Sequence, residues 1–531
     1  MGNSYETPEY LFEVSWEVCN KIGGIHTVIS TKAVSVLHAM GDKYMVIGPD
    51  VWRDSSDHPE FIEDQSLFPE WRRQAEEEGL MVRAGRWKIQ GNPIAILVDF
   101  TPFFSQKDAI FSKFWELYKL DSITGQWDYA EPTLFGFATG KVIESYIKFF
   151  GLRNNRVAAH FHEWMTGAGL LYLKEYQPQV GTVFTTHATV VGRSLAGNNQ
   201  PLYSKMETYN GDDKAREFNV IAKQSIEKIS ANVADAYTTV SDITAQECAQ
   251  FHGKEVDLVT PNGFEESFVP EAGEYTKKRK EARKKLLQVA SALSNEELPE
   301  ETLLLATSGR YEFKNKGIDI FLNALGKINQ DKTCKKPVVA FILVPANHYG
   351  PRKDLLEVIN GKGESVGGDK FLTHYLHYEE HDPVLQSIKA NKISNEAGSR
   401  LKVFFVPSYL TGNDGIINLD YYDTLIGFDL TVFPSYYEPW GYTPLESLAF
   451  KIPTITTSLA GFGLWVNNMV EEKGNAVHVV NRNDENDDEV AENIKNIING
   501  YCKIGETDRN DAGEKAYKIS RIALWKNLVS H

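Results

Sequence analysis

Short apolar runs, each ended by glycine or a polar turn and followed by an amphipathic stretch, recur along the chain. YLFEVSWEV (10–18) predicts a strand, NKIGG (20–24) a turn, HTVISTKAVSVLHAM (26–40) a helix and DKYMVIGP (42–49) a second strand. The same order returns at RVAAHFHEW (156–164), TGAGLLYLKEY (166–176) and GTVFTTH (181–187), and again at ADAYTTVS (234–241), DITAQECAQFH (242–252) and DLVTPNG (257–263). Strand and helix alternating in this way predict a parallel sheet with helices on both faces.

Turn residues and then charged residues replace this pattern over 261–298, and a second series follows. It runs through TLLLATSG (302–309), IDIFLNALGKIN (318–329), PVVAFILVP (337–345), RLKVFFVP (400–407), FDLTVFPS (428–435), PLESLAF (444–450), PTITTS (453–458) and NAVHVV (475–480). The fold class is therefore α/β, with two doubly wound parallel-sheet domains. The expected domains are residues 1–265 and 266–504, the second with a Gly-rich, charged, partly helical insert near 361–399. Residues 505–531 form a last helical segment expected to pack back on the first domain. In open α/β sheets ligands sit beyond the carboxyl ends of strands, so a cleft between two such domains is the expected site.

Composition narrows the class. Hydrophobic residues make up 42% of the 531 and charged residues 24%, a balance suited to ordinary apolar cores. No stretch stays apolar for the roughly 20 residues of a membrane helix. The opening MGNSYETPEY lacks a basic region followed by an apolar run, and Glu6 stands where a myristoylation signal needs Ser or Thr. Cys19, Cys248, Cys334 and Cys502 form no C-x-x-C pair, which argues against a zinc ribbon or a redox dithiol. A cytoplasmic protein is expected. A net charge of −16 repels nucleic acid and anionic membrane, so neither is an expected partner. KKRKEARKKLL (277–287) reads as a solvated helix face.

Four loops that follow strands hold candidate chemistry. In KIGGIHTV (21–28), Gly23 and Gly24 make either a tight turn or a phosphate-binding helix start. In GRYEFKNKG (309–317), Arg310, Lys314 and Lys316 are either solvated loop charges or a grip on phosphate. HFHEW (160–164) has His160 and His162 on alternate strand positions, without further ligands at familiar metal spacing, so one is readable as a packed core histidine. PSYYEPWGYTPLE (434–446) sets Glu438 and Glu446 eight positions apart around an aromatic turn. Thr443 and Glu446 also spell a capping box, with Pro444 at the first helical position.

YEPWGYTPLE resembles the E-x7-E motif of retaining nucleotide-sugar glycosyltransferases of the GT-B fold, in its eukaryotic-type glycogen synthase form. EVSWEVCNKIGGIHTVI, HFHEW, TTHATVVGRSL, RYEFKNKGIDIFL, VFPSYYEPWGYTPLE and TTSLAGFG are similar to that family's blocks, in its order, from about residue 11 to 528. The resemblance implies transfer of glucose from UDP-glucose, or alternatively ADP-glucose, to glycogen or another α-1,4-glucan. It further implies that no metal cofactor is used, and a homo-oligomer.

Carried over by position, the catalytic group would be Glu438 on the donor glucose hydroxyls, His162 beside the transferring sugar, and Arg310 with Lys316 on the diphosphate. Glu446 would take the ribose diol and Tyr421 the base. Lys21, Gly23, Gly24, Arg193, Trp440, Gly441, Tyr442 and Thr443 would complete the substrate contacts. The absence of any Asp-x-Asp pair agrees with metal-free handling of the diphosphate, by basic side chains and helix amides. Aromatic rings near a sugar site give pyranose faces an apolar surface. His26 stands where the family usually has tyrosine. ISRIALWKNLVSH (519–531) keeps only Arg521 of the arginine-dense helix found in members activated by glucose 6-phosphate. Glucose 6-phosphate added to a transfer assay is accordingly expected to leave the rate unchanged, and strong activation would overturn that reading.

Overall fold

The computed structural model describes residues 7–55, 57–331, 333 and 335–529. The opening six residues and Cys334, on which two of the sequence arguments draw, lie outside them. The chain forms two compact units, one of residues 1–265 with 523–531 and one of residues 266–522.

The first unit is built on a nine-stranded sheet. Its strands are β1 (Tyr10–Val14), β2 (Tyr44–Pro49), β3 (Phe61–Glu63), β4 (Met81–Trp87), β5 (Ile94–Asp99), β6 (Val157–His162), β7 (Gly181–Thr186), β8 (Ala236–Thr239) and β9 (Leu258–Val259). They lie in the order β3-β4-β5-β2-β1-β6-β7-β8-β9. From β5 to β9 every pair is parallel, and β3 and β4 add an antiparallel edge. That edge escaped the sequence pattern because β3 has only three residues and β4, MVRAGRW, breaks its apolar run with Arg83, Gly85 and Arg86. Strand β2 is buried along its whole length, as a central strand covered on both faces must be.

The second unit holds β10 (Leu303–Ser308), β11 (Val338–Leu343), β12 (His348–Pro351), β13 (His374–Leu376), β14 (Leu401–Val406), β15 (Leu430–Val432), β16 (Thr454–Thr457) and β17 (Val477–Val480). Six of these form a parallel sheet ordered β14-β11-β10-β15-β16-β17, while β12 and β13 pair as a separate antiparallel ribbon. Strands β10, β11 and β14 are buried throughout, and the helix Ile318–Gln330 packs its apolar side into the same core.

Both sheets reverse their direction of growth at one point. In the first, the chain grows outward from β1 to β2 and then restarts at β6 on the other side. In the second, it grows from β10 to β11 and β14 and restarts at β15. At such a reversal the loops leaving the two central strands separate, and a crevice opens at their carboxyl ends. The loops after β1 and β6, and those after β10 and β15, are the four singled out above for candidate chemistry, while Arg193 follows β7 and Tyr421 follows β14.

The charged helix Ala272–Ser294 departs from its reading as a solvated face. Arg279 and Arg283 both reach Asp429, at 2.8 and 2.9 Å, and donate to backbone carbonyls of residues 426–428. Lys278 pairs with Asp423 at 2.6 Å. One side of the basic run thus anchors the helix to the segment before β15.

The closing segment is divided rather than folding as one piece onto the first unit. The helix Glu506–Ser520 stays with the second unit, where it packs on the helix Tyr442–Ala449, while residues 523–531 join the first. There the Phe264 N–H donates to the Ala523 carbonyl at 2.9 Å, and Trp525 is buried with its Nε1 donating to Thr31 Oγ1 at 2.7 Å. A Cβ on Gly263 would run into the Trp525 ring. Trp525→Ala is expected to destabilise the first unit by about 3–5 kcal/mol, the usual cost of removing a large buried aromatic. Denaturant unfolding followed by tryptophan fluorescence reads this, and a loss within the range of surface substitutions would refute the anchoring role.

Candidate functional site

In the first unit the candidate histidines of β6 stand against a carboxylate that the sequence reading passed over. Glu13 on β1 is fully buried. It accepts hydrogen bonds from Lys32 Nζ and from the Tyr44 hydroxyl, and His162 Nε2 lies 2.8 Å from it. Burial alone pushes such a carboxyl up, yet the Lys32 charge and the His162 hydrogen bond hold it well below the usual range. His162 ends β6, buried, with its Nδ1 2.9 Å from His187 Nε2. Burial lowers the pKa of His162, and lowers those of His160 and His187 still further, so these rings are neutral at pH 7. Donor atoms of Glu13, His160 and His162 lie within 4.8 Å of one another. The cluster already contains its own cation, the Lys32 ammonium.

The glycine turn is organised differently from its sequence reading. Glu17 Oε2 accepts from the Gly23 N–H at 2.8 Å and the His26 N–H at 2.9 Å, so a carboxylate of the chain caps the helix Gly24–Met40. The Gly23 amide is therefore not open to phosphate, and Lys21 and Gly24 stand exposed beside it. His26 is buried against the edge of Trp87 and 2.9 Å from Glu60 Oε1. Arg193 lies exposed on the helix Val190–Gly197. Before that helix, Glu163 accepts the His187 and Ala188 amides at 2.8 and 2.9 Å. Burial, with Glu227 nearby, raises its pKa to about 7.

In the second unit two loops are clipped together at the sheet reversal. The Asn315 carbonyl accepts the amides of Tyr436 and Tyr437 at 2.9 and 3.1 Å. Gly317 has φ 70°, and a Cβ there would strike the Pro434 carbonyl. The clip brings Lys316 Nζ onto Glu438 Oε2 as an ion pair in which both side chains are mostly buried. Arg310 turns outward, 61% exposed, to Glu312 at 2.9 Å.

Glu446 does not close a capping box. Gly441, at φ 104°, is the residue before the helix, which begins at Tyr442, so Pro444 stands at the third helical position and no side chain caps the helix start. The Glu446 carboxylate instead accepts the Tyr422 hydroxyl at 3.0 Å, and burial raises its pKa to about 7. Tyr422 stacks on Phe450 at 5.0 Å, while Tyr421 lies 2.8 Å from Ser308 Oγ at the end of β10. Trp440 packs edge-on to Phe462 and Trp465. The buried Trp440 Nε1 and Tyr442 hydroxyl have no hydrogen-bond partner among the described residues. Buried polar atoms of that kind call for an explanation, and a bound polar ligand supplies one.

Each unit thus gathers its own share of the expected residues. Glu438, Lys316, Trp440, Gly441, Tyr442, Thr443 and Glu446 stand after β10 and β15, Tyr421 reaches the end of β10 from the segment between β14 and β15, and Arg310 sits at the rim. His162 ends β6, Lys21, Gly23 and Gly24 follow β1, and Arg193 follows β7. Glu13, Tyr422 and Asn315 were missed. A charged residue inside the apolar run of β1 was the available signal for Glu13, since a buried carboxylate requires partners.

A family model described as glycogen synthase matches residues 13–366 and 368–531. The chain is 29% identical to the "Glycogen [starch] synthase" of Caenorhabditis elegans, over 98% of this chain and 87% of that one. It is 29% identical to the liver enzyme of Mus musculus, covering 98% and 81%, and 28% identical to the Neurospora crassa enzyme, covering 98% and 82%. Among solved structures, the catalytic domain of starch synthase IV from Arabidopsis thaliana, bound to ADP and acarbose, aligns with a TM-score of 0.54 at 13% identity, over 99% of this chain and all of that one. Sucrose-phosphate synthase from Thermosynechococcus elongatus aligns at 0.52 and 14% identity, covering 98% and 96%. The fold they share with this chain is GT-B.

The Glu446 geometry gives a pH test. Its carboxyl is raised from the ordinary value near 4.5 to about 7, so folding is favoured below the lower value and that advantage is lost as pH rises through the upper. The loss is at most about 3 kcal/mol. Glu446→Gln keeps an acceptor for Tyr422 and removes the titration. Its melting temperature relative to the wild type is expected to rise between pH 5 and pH 8, and a difference that stays constant with pH would contradict the assignment.

Proposed function

The chain belongs to the glycogen synthase family of glycosyltransferases, and we propose that it extends glycogen by moving glucose from UDP-glucose to the non-reducing 4-hydroxyl of an α-1,4-glucan with retention of configuration. The observation that carries the reading is the E-x7-E segment, standing after β15 at the sheet reversal, in a chain the family model matches almost throughout. Both carboxylates there are committed: Glu438 to Lys316, and Glu446 to Tyr422.

In this reading Glu446 takes the ribose diol, Tyr421 stacks on the base, and Glu438 takes hydroxyls of the donor glucose. Lys316 and Arg310 receive the negative charge that develops on the departing diphosphate, where fixed positive groups contribute most to rate. The uncapped start of the helix Tyr442–Ala449 adds amides and a favourable dipole for phosphate near Thr443. His162 meets the transferring sugar, with both ring nitrogens already occupied by Glu13 and His187, so its contribution is a fixed wall and a backbone contact. The acceptor attacks the face that the diphosphate leaves, through an oxocarbenium-like state, and the leaving phosphate takes the acceptor proton.

Metal independence is part of the proposal. Its support is that the Glu13, His160 and His162 cluster is neutralised by Lys32, and that basic side chains stand where the diphosphate is expected. A cytoplasmic setting is also proposed, in keeping with the buried thiols of Cys19, Cys248 and Cys502. No helix among the described residues is long and apolar enough to cross a membrane. Homo-oligomer formation belongs to the same reading.

The test is glucose incorporation into glycogen from UDP-glucose and from ADP-glucose with EDTA present, for the wild type, Glu438→Gln and Arg310→Ala. Expected is chelator-insensitive transfer from UDP-glucose, reduced about 10²–10³-fold in each variant. Preference for ADP-glucose would replace the donor, loss on chelation would overturn metal independence, and no transfer from either donor would overturn the reading.

A further inference from the structure

Glu13 is the single charged side chain of β1, and the transfer chemistry above makes no use of it. It is fully buried, with the Lys32 ammonium on Oε1 and the Tyr44 hydroxyl on Oε2. Apolar residues of similar volume often replace a buried ion pair at no cost in stability, so stability alone gives a strand little reason to contain one. What the pair does supply is a direction for hydrogen bonds. Burial beside Glu13 pushes the Tyr44 phenol pKa up, so its hydrogen stays in place and it donates, as Lys32 does. Against the cost of burial, Lys32 and the His162 contact hold Glu13 ionised, and an ionised carboxylate can only accept.

That direction passes on to two histidine rings. His162 Nε2 lies 2.8 Å from Glu13 Oε1, which places the hydrogen on Nε2. Burial keeps this ring neutral at pH 7, so its Nδ1 carries no hydrogen. His187 Nε2, 2.9 Å from that Nδ1, must therefore be a donor. Burial keeps His187 neutral as well, which leaves its own Nδ1 bare. His160 stands outside this chain of bonds, with its Nε2 2.7 Å from Thr185 Oγ1 and its Nδ1 3.7 Å from Glu13 Oε1. The His187 Nδ1 has no hydrogen-bond partner among the described residues, while the backbone N–H of the same residue is held by Glu163 at 2.8 Å. His187 follows β7 at the carboxyl end of the sheet, the edge at which ligands of such folds bind, and Arg193 lies in the helix after it.

We propose that Glu13 is a positioning residue for the transfer reaction, acting through His162 to keep His187 Nδ1 free of hydrogen as an acceptor for a substrate hydroxyl. The inference rests on the glucan-extending reading above, in which sugar hydroxyls are the groups to be held. A neutral imidazole left to itself exchanges between two tautomers and offers a donor or an acceptor in turn. The buried carboxylate removes that choice, and Lys32 balances its charge so that neither ring has to become an imidazolium. An acceptor nitrogen suits a hydroxyl, which can donate, and repels an ionised phosphate oxygen, which cannot. The relay thus selects for sugar over diphosphate at this point of the first unit, in keeping with the Glu17 carboxylate that fills the nearby helix start at Gly23.

Histidine labelled with 15N reports the tautomer of each ring, with the His162 and His187 signals identified by their loss in His162→Gln and His187→Gln. In the full chain both rings are expected to carry hydrogen on Nε2 alone. The double variant Glu13→Leu with Lys32→Met removes carboxylate and ammonium together. It is expected to keep the wild-type melting temperature, to lose the fixed tautomers and to lower kcat/KM for UDP-glucose about 10–100-fold, the range of one misdirected buried hydrogen bond. Glu13→Gln behaves in the opposite way: its amide oxygen still accepts from His162, so tautomers and most of the rate are retained, while the unpaired Lys32 lowers the melting temperature. A purely structural Glu13 would make rate follow stability in both variants, which overturns the proposal. Hydrogen on His187 Nδ1 in the wild type, or full activity in the double variant, overturns it as well. The expected tautomers in a wild type that transfers no glucose would leave the hydrogen placement standing and remove the transfer reading.

Discussion

The second unit's site depends on one close approach, that of Gly317 to the Pro434 carbonyl. No side chain fits between them, and the backbone there lies in the left-handed region at φ 70°, so glycine satisfies both demands at once. The approach lets the Asn315 carbonyl take two amides from the following loop. Arg482, itself buried, donates to the Pro434 carbonyl from behind and pairs with Asp487 at 3.0 Å. With both loops fixed in this way, Lys316 and Glu438 meet although 122 residues separate them in the chain. Their geometry is therefore set by backbone contacts rather than by the ion pair, whose own net contribution is small once desolvation is counted.

The two units handle buried charge by the same means and to different ends. Glu13 is surrounded by Lys32, Tyr44 and His162, and those partners keep it ionised despite complete burial. Glu446 has one neutral partner, Tyr422, and burial carries it to about 7. The first arrangement holds a histidine still. The second leaves a carboxyl with spare acceptor capacity beside the Tyr442 hydroxyl, which has no partner among the described residues, and a diol is the kind of group that satisfies both.

Much of this was legible in the sequence, for identifiable reasons. Repeated strand and helix periods gave two parallel sheets, and loops after strands located the residues, because chain order and sheet reversal follow from local patterning. What failed were inferences that need tertiary context. Thr443 and Glu446 spell a capping box, but Gly441 at positive φ starts the helix two residues earlier than that motif requires. The run at 277–287 looked solvated because Asp429, its buried partner, lies some 150 residues away in the chain. The β12 and β13 ribbon is too short and too rich in tyrosine and histidine to show a clear two-residue period. Glu13 reads as an interruption of an apolar strand until Lys32 and Tyr44 are seen beside it.

The helix starts carry the last step of the argument. Both units offer a helix N-terminus after a strand, and free amides at such a point favour phosphate. In the first unit Glu17 already fills that role for Gly23 and His26, so a second anion there would meet a carboxylate at close range. At the start of the helix Tyr442–Ala449 no side chain does so, and Lys316 stands on the same side of the sheet reversal. The start of the helix Gly461–Met469 is likewise closed, its first amides taken by the Glu438 and Trp440 carbonyls at 2.9 and 2.8 Å. Of these three helix starts only the one at Tyr442 remains open to a ligand's phosphate, and it begins within the aromatic segment that joins Glu438 to Glu446. Under the proposed function, an acidic protein that holds a diphosphate has reason to keep one such position uncapped and to close the others with its own oxygen atoms.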